Sequence, residues 1–329
     1  MKAFEYVAPT STEAAVKQLD QAGSAALSGG TDLLSRMKDY VTSPKRVVYL
    51  KDIKSLDGFG GDASGGLTLG AGMTLASLIA NKKVQDLYPA LWQAASEVGT
   101  PQIKNMATIG GNLLQRPRCW YFRSGFGLLP TKDGKNMVRE GDNRYHAIFH
   151  TDGDALFVSP SSLAVPLIAL GATATLQGPK GERTIPVAAL YQVPKTAEDR
   201  ELTIGTDELL TKVNIPAPKG KNGSYEARQK QAHDWPLVMA AVNLTMDGDK
   251  VSDAKVILYG VAPIPYRAEA AEKALKGNAV SLESAAAAGN AAVEGAKPLS
   301  DNGFKVALTK TVVKRAIMAA VGNRYWEEG

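Results

Sequence analysis

The chain has 329 residues, 44% hydrophobic and 22% charged, which is enough apolar material for a sizeable core and two or three domains. Its formal charge of +5 is spread over scattered lysines and arginines rather than massed with aromatic residues, so nucleic acid is not an expected partner. A single cysteine, Cys119, excludes an internal disulfide framework and any zinc or iron–sulfur site that draws several thiolates from this chain.

The N-terminal MKAFEYVAPTSTEAAV carries no apolar stretch behind its lysine, and no later run approaches the roughly 18 apolar residues of a membrane span. A cytoplasmic location is the default expectation, with co-export to the periplasm on a signal-bearing partner as the alternative. Residues 4–6 read as a short strand, and 11–23 as a helix capped by Thr10 or Ser11 and closed by Gly23. Residues 25–27 and 46–50 supply further strands, and the glycine-rich 56–66 marks a seam. LTLGAG (67–72) reads as a strand, followed by helical patterning over 74–100 that is interrupted near Pro89.

Residues 115–154 are polar and irregular, too long for an ordinary connection, and therefore a functional insertion or a mobile excursion. Strand-like LFVSP (156–160), the apolar LAVPLIALGATATLQ and a hairpin through KGERTIPVAAL resume the fold. After a linker at 216–220, three strand candidates at 224–229, 240–248 and 254–261 precede alanine-rich helices, a pattern for an antiparallel sheet packed by helices. The expected division is 1–57, 58–218 with its insertion, and 219–329.

Two glycine stretches carry the candidate chemistry. In LSGGTDLL (27–34), a strand running into Ser28-Gly29-Gly30-Thr31-Asp32 offers successive backbone N–H groups and hydroxyls to an anion such as pyrophosphate; the plain alternative is a tight turn. The second, ATIGGNL (107–113), repeats the pattern about 80 residues later in what reads as another strand-to-turn setting, and two such loops could clamp a long dinucleotide. No Gly-Lys-Ser/Thr ending makes a P-loop, and GAGMTLASL (70–78) lacks the third glycine of a dinucleotide fingerprint.

No nucleophile constellation is visible. Cys119 lies beside Arg118 and Arg123, which would lower its pKa, but it has no base nearby in sequence and reads as an interior or interface thiol. His146 and His150 are four apart, a spacing that suits one helical face, without a zincin motif beside them. These two and His233 read as structural, with no catalytic or metal-ligating residue expected.

Taken together, LSGGTDLL, ATIGGNL, SPSSLAVPLIALGA (159–172) and AKPLSD (296–301) resemble the FAD-binding medium subunit of the molybdenum hydroxylases, the xanthine dehydrogenase and aldehyde oxidoreductase family. The insertion is similar to that of bacterial aldehyde oxidoreductases of the periplasmic type. The resemblance implies an α+β chain. Two subdomains of the vanillyl-alcohol-oxidase type would hold FAD, followed by a C-terminal three-stranded antiparallel sheet with helices.

By the same resemblance, Ala26, Leu27, Ser28, Gly29, Gly30, Thr31, Asp32 and Leu33 would wrap the pyrophosphate. Thr108, Gly110, Gly111, Asn112 and Leu114 would form the opposite wall. Ser161 and Ser162 would approach the ribityl or phosphate portion, and Leu209 and Leu210 the flavin or adenine edge. It further implies a large molybdenum-cofactor subunit and a small subunit with two-iron clusters, from which electrons reach FAD and then an external acceptor.

The sequence departs from the family's pattern in three places. Relatives ligate a four-iron cluster through several insertion cysteines, whereas Cys119 stands alone, with Leu128, Leu129 and Met137 in the same stretch. A single thiolate cannot hold that cluster, so the insertion is expected without it. Ser162 stands where the family often has Asp, and Glu226 where it has a strand lysine. A carboxylate at 226 facing the flavin would lower its potential. The rival readings are a self-contained flavin oxidase and a flavin-free scaffold.

Overall fold

The computed structural model describes residues 1–61 and 64–327. Asp62 and Ala63, within the expected seam, lie outside the described residues. The chain opens with Glu5–Val7 (β1), and the helix Thr12–Leu19 follows, its first turn capped by the Ser11 hydroxyl accepting from the Ala14 N–H at 3.2 Å. That helix stops four residues short of Gly23, whose left-handed backbone (φ +82°) instead turns the chain into Ser24–Leu27 (β2). With Arg46–Tyr49 (β3) these form a parallel sheet in the order β1-β3-β2.

Phe59–Gly61 (β4) and Leu67–Gly70 (β5) begin a second sheet. The helical stretch that follows is four short helices, Leu75–Ile79, Lys82–Leu87, Pro89–Glu97 and Pro101–Met106. The breaks are local chemistry: Asn81 and Thr100 cap new turns with their side chains, and Pro89 and Pro101 occupy first helical positions, where no N–H is needed. A two-residue hairpin, Thr131–Lys132 (β6) with Lys135–Asn136 (β7), lies in the insertion.

Thr173–Gly178 (β8), Gly181–Pro186 (β9) and Leu209–Ile215 (β10) complete an antiparallel five-stranded sheet in the order β4-β5-β10-β8-β9. The expected β8–β9 hairpin is present, with Gly178 paired to Gly181 across a two-residue loop. Residues 156–160, expected as a strand, pair with no ladder. They are largely buried and held by isolated bonds such as the Ser159 N–H to the Ala262 carbonyl at 3.0 Å.

Lys221–Ala227 (β11), Val238–Asp247 (β12) and Lys250–Tyr259 (β13) are the three expected C-terminal strands, and a two-residue strand, Tyr266–Arg267 (β14), extends their edge. The β12–β13 turn is Gly248-Asp249, with Gly248 at φ +61°, as a two-residue hairpin loop demands. Helix Phe304–Ala320 lies on β11 and β12, and the alanine-rich Leu282–Ala291 packs beside it behind a Ser281–Ser284 capping box.

The insertion is packed. Towards its end, Ala147 and Ile148 are fully buried and Phe149 nearly so. Ile148 and Phe149 donate to the Val261 carbonyl, and the Ile148 carbonyl accepts from Lys297, so this stretch is stitched to the C-terminal sheet and its helices. Among the described residues, no helix is long and apolar enough to cross a membrane.

Candidate functional site

The two glycine stretches, 80 residues apart in sequence, meet in space. The Ser28 and Thr108 hydroxyls are hydrogen-bonded at 3.0 Å. Gly29 packs so closely on the Met106 carbonyl that a β-carbon there would overlap it, and Gly30 holds φ +74°. ATIGGNL is not a second strand-to-turn element. Thr108 caps the one-turn helix Ile109–Leu113, its hydroxyl accepting from the Gly111 N–H at 3.1 Å. Leu75 donates to Ala107, while Ile109 and Gly110 donate back to Met73 and Ala71, which fastens this segment to residues 71–75.

The two stretches differ in what they offer a ligand. In the second, the N–H groups of Gly110, Gly111 and Asn112 are taken by Ala71, Thr108 Oγ1 and the Thr108 carbonyl. In the first, the N–H groups of Gly29, Gly30 and Thr31 donate to no group among the described residues. They line a cleft of about 800 Å³. A run of free amides on a side-chain-free backbone is an anion cradle.

Ala26, Ser28, Asp32, Leu33, Thr108, Gly110, Gly111, Leu114, Leu209 and Leu210 line the same cleft. A second chamber of about 940 Å³ continues from it through shared walls at Thr31, Gly111 and Gln115, and brings in Asn112, Ser162 and Glu226. Leu27 and Ser161 line neither. Ser161 is fully buried, and its hydroxyl donates to Asn112 Oδ1 at 2.9 Å and accepts from the Ala164 N–H, while the Leu163 N–H also reaches Asn112. Ser161 therefore braces Asn112 from behind. Arg36, Leu50, Leu56, Ala71, Gly72 and Glu208 also line the first cleft without having stood out in the sequence. Only Ala71-Gly72 left a trace there, as an incomplete glycine fingerprint.

Charge is organised around Asp32. Arg36 and Arg123 reach its carboxylate at 3.0 and 2.6 Å, Arg118 at 3.4 Å, and the Arg116 N–H donates to it at 3.2 Å. Burial pushes the carboxyl up, but the pull of Arg36, Arg118 and Arg123 outweighs it and holds the group below its usual range. Three of these arginines belong to the insertion, so Asp32 ties the insertion to the glycine cradle. At the other end, Glu226 is deeply buried, and burial raises its carboxyl to about 7. Arg228 opposes that rise, with its Nε 3.3 Å away at an angle that makes an ion-pair contact and no hydrogen bond.

Cys119 does have a base nearby, contrary to its sequence surroundings: His146 Nε2 lies 3.2 Å from its sulfur. The thiol is nonetheless pushed up rather than activated, because burial outweighs the neighbouring backbone N–H groups. His146 and His150 share no helical face. The segment is irregular, His146 is buried, and His150 is exposed at φ +57°. Burial first, and the charge of Lys305 second, pull His146 down to about 4.

A consequence for stability follows. The folded value of His146 lies below the ordinary 6.5, so the neutral ring's contribution is complete above pH 6.5 and is lost as pH falls towards 4. The loss is about 3 kcal/mol. The unfolding free energy of wild type, from denaturant melts, should therefore fall more steeply over that window than that of His146→Gln, which does not titrate; parallel pH profiles would contradict this.

A family profile described as the FAD binding domain in molybdopterin dehydrogenase matches residues 2–218, and one described as the CO dehydrogenase flavoprotein C-terminal domain matches residues 223–322. The chain belongs to the FAD-binding medium subunits of the molybdenum hydroxylases. It is 31% identical to the aldehyde oxidoreductase FAD-binding subunit PaoB of Escherichia coli K12, over 97% of this chain and 99% of that one. It is 29% identical to the carbon monoxide dehydrogenase medium chain of Hydrogenophaga pseudoflava, over 96% of each. A solved carbon monoxide dehydrogenase from that organism, a form lacking the Mo-pyranopterin moiety, superposes with a TM-score of 0.76 at 28% identity over 98% of both chains. For an FAD-binding subunit, the free amides at Gly29, Gly30 and Thr31 are a fitting pyrophosphate cradle, because three successive backbone donors are unspent and the glycines let that loop pack directly on the Met106 carbonyl.

Proposed function

We propose that this chain is the FAD-carrying electron-transfer subunit of a heterotrimeric molybdenum hydroxylase that oxidises an aldehyde or an N-heteroaromatic compound. The observation that carries the reading is the set of unspent N–H groups at Gly29–Thr31, facing a cleft that continues into a second chamber. Likeness to the aldehyde oxidoreductase and carbon monoxide dehydrogenase subunits supports a large molybdenum partner and a small iron–sulfur partner. FAD, when bound, supplies the exchange between one-electron and two-electron carriers.

The protein's own work is holding and tuning. Ala26 and the run from Ser28 to Leu33 hold the pyrophosphate, with Ser28 fixed by Thr108. Gly110, Gly111 and Leu114 form the adjoining wall, and Asn112 is kept in place by Ser161. Leu209 and Leu210, both nearly fully buried, give the cleft an apolar side for a ring edge. Ser162 and Glu226 stand in the second chamber, where the flavin ring belongs. The division into 1–57, 58–218 and 219–329 is supported by the three-, five- and four-stranded sheets, which fall wholly within the first, second and third span in turn. The insertion 115–154 works as a buried tie between the cradle and the C-terminal sheet, without a four-iron cluster.

No residue here is assigned to substrate hydroxylation. Rapid mixing of the complex with an aldehyde should bleach the flavin absorbance only when the partner subunits are present. Bleaching of this chain alone would instead identify a self-contained oxidase.

Glu226 provides a second test. Ionised beside the ring, it opposes the negative charge gained on reduction, so Glu226→Lys should raise the flavin midpoint potential, by on the order of 50 mV for a two-electron couple. The difference should be largest above pH 7, where the wild-type carboxylate is charged. An unchanged potential would remove Glu226 from the ring's surroundings.

A further inference from the structure

Glu226 stands in the wall between two cavities. One is the chamber assigned to the flavin ring, and the other, about 610 Å³, shares Glu97 and Glu226 with it. Strand β11 sets this placement. Ser224 and Glu226 face the same way by strand alternation, towards helix Pro89–Glu97, where the Ser224 hydroxyl donates to the Ala90 carbonyl at 3.0 Å. The second cavity has Gln93, Ser224, Arg228, Arg324 and Glu327 in its wall, so it is polar and roomy enough to hold water. The C-terminal turn closes part of it, fixed where Trp326 meets Tyr225 edge-on at 5.1 Å and the Arg315 guanidinium lies over both rings.

The charged groups around Glu226 are committed elsewhere. Arg228, 3.3 Å away without a hydrogen bond, gives its guanidinium to Glu97 at 2.6 Å. Arg118, in the wall of the flavin chamber, is held by Asp32 at 3.4 Å, and Arg324, in the wall of the second cavity, by Glu327 at 3.0 Å. In the loop after β11, His233 Nδ1 donates to the Gly99 carbonyl at 3.1 Å, and the Asp234 carboxylate accepts from the Lys230 and Trp235 N–H groups. On β13, burial pushes the Tyr259 phenol up and keeps it neutral. Glu226 is left with a side chain 8% exposed and no hydrogen bond to its carboxyl among the described residues.

We infer that Glu226 is a redox-linked proton site, which takes up one proton when bound flavin gains two electrons and exchanges that proton with water in the second cavity. The inference rests on the FAD reading. Two electrons from the iron–sulfur partner add negative charge to the ring and raise the cost of a carboxylate beside it. A proton from water then converts the Glu226 carboxylate to the carboxylic acid. Reoxidation by the external acceptor removes the two electrons and releases the proton. A carboxylate held by several hydrogen bonds would keep its charge through this cycle, whereas a buried one without them gives it up. Burial already raises the carboxyl to about 7, so the uptake belongs to the range above that value; well below it Glu226 is protonated in both redox states.

The test is the reduced-minus-oxidised infrared difference spectrum of the FAD-loaded full chain, recorded about one pH unit above that value. A carboxylic-acid C=O band should appear on reduction and be missing in Glu226→Gln. It should shift in D₂O, because its proton exchanges with water of the second cavity. Over the same pH range the flavin midpoint potential should fall with pH more steeply in wild type than in Glu226→Gln, by up to one proton per two electrons. Glu97→Gln frees Arg228 to bond Glu226 and removes a like charge, so the band should appear at lower pH than in wild type.

Bound FAD without the band, a band that survives Glu226→Gln or ignores D₂O, equal potential slopes, or an unmoved pH range in Glu97→Gln would overturn the inference and leave the FAD reading standing. A chain that takes up no FAD would defeat that reading and this inference with it.

Discussion

Gly29→Ala should weaken FAD retention by about 10- to 100-fold. The added methyl meets the Met106 carbonyl, which is backbone and cannot rotate away, so the two glycine stretches must move apart at the point where the cradle is built. Overpacking of this kind costs about 1–3 kcal/mol, and 1.4 kcal/mol is a factor of ten in affinity. The displacement also strains the Ser28–Thr108 hydrogen bond. Fluorescence titration of the apo chain with FAD measures the change. Gly303→Ala is the control, since a β-carbon there meets nothing within 4 Å and its backbone is right-handed. Equal FAD affinity in Gly29→Ala and wild type would mean that the Gly29 contact does not shape the cradle.

Asp32→Ala should be the most destabilising single change near the site. It leaves Arg36, Arg118 and Arg123 facing one another without the carboxylate that joins them, and strands the Arg116 N–H. Removing one partner of a buried charged network costs about 3–5 kcal/mol. Because three of those arginines come from the insertion, hydrogen exchange should accelerate first over residues 116–126 and only then in the glycine stretch. Asp32→Asn should recover part of the loss, keeping the hydrogen-bond acceptor while removing the charge. Uniform exchange changes across the chain, or none, would show that Asp32 does not anchor the insertion.

These two residues illustrate how much of the site the sequence could reveal. Gly29 stood out because paired glycines after a strand have few uses other than turning or close approach. Its partner, the Met106 carbonyl, is a backbone atom nearly 80 positions away and leaves no mark in residue type. Asp32 was legible as a polar residue of the loop, but its role is set by three arginines that only the fold brings to it. Ser161 misled for the same reason: a serine beside a predicted site reads as a ligand, whereas full burial turns its hydroxyl towards Asn112.

The fold was read most securely where the pattern is local and periodic. The C-terminal strands are punctuated by turn signals such as Asp247-Gly248, and their positions agree with the ladder to within a few residues. Legibility failed where tertiary contacts decide. Residues 156–160 have strand composition but make single hydrogen bonds to Ala147 and Ala262 rather than a ladder, and His146 and His150 have helical spacing in a segment pinned by single hydrogen bonds. The Cys119–His146 pair was invisible because 27 residues separate its members.

The central claim, that FAD rests on the Gly29–Thr31 amides of a chain with no cluster of its own, is tested most directly by a visible spectrum with iron analysis on the complex purified with its partners. The account predicts flavin bands at about one FAD per copy of this chain, with all iron assigned to two-iron clusters of the small subunit. Absence of flavin, or iron in excess with a four-iron signature, would contradict it.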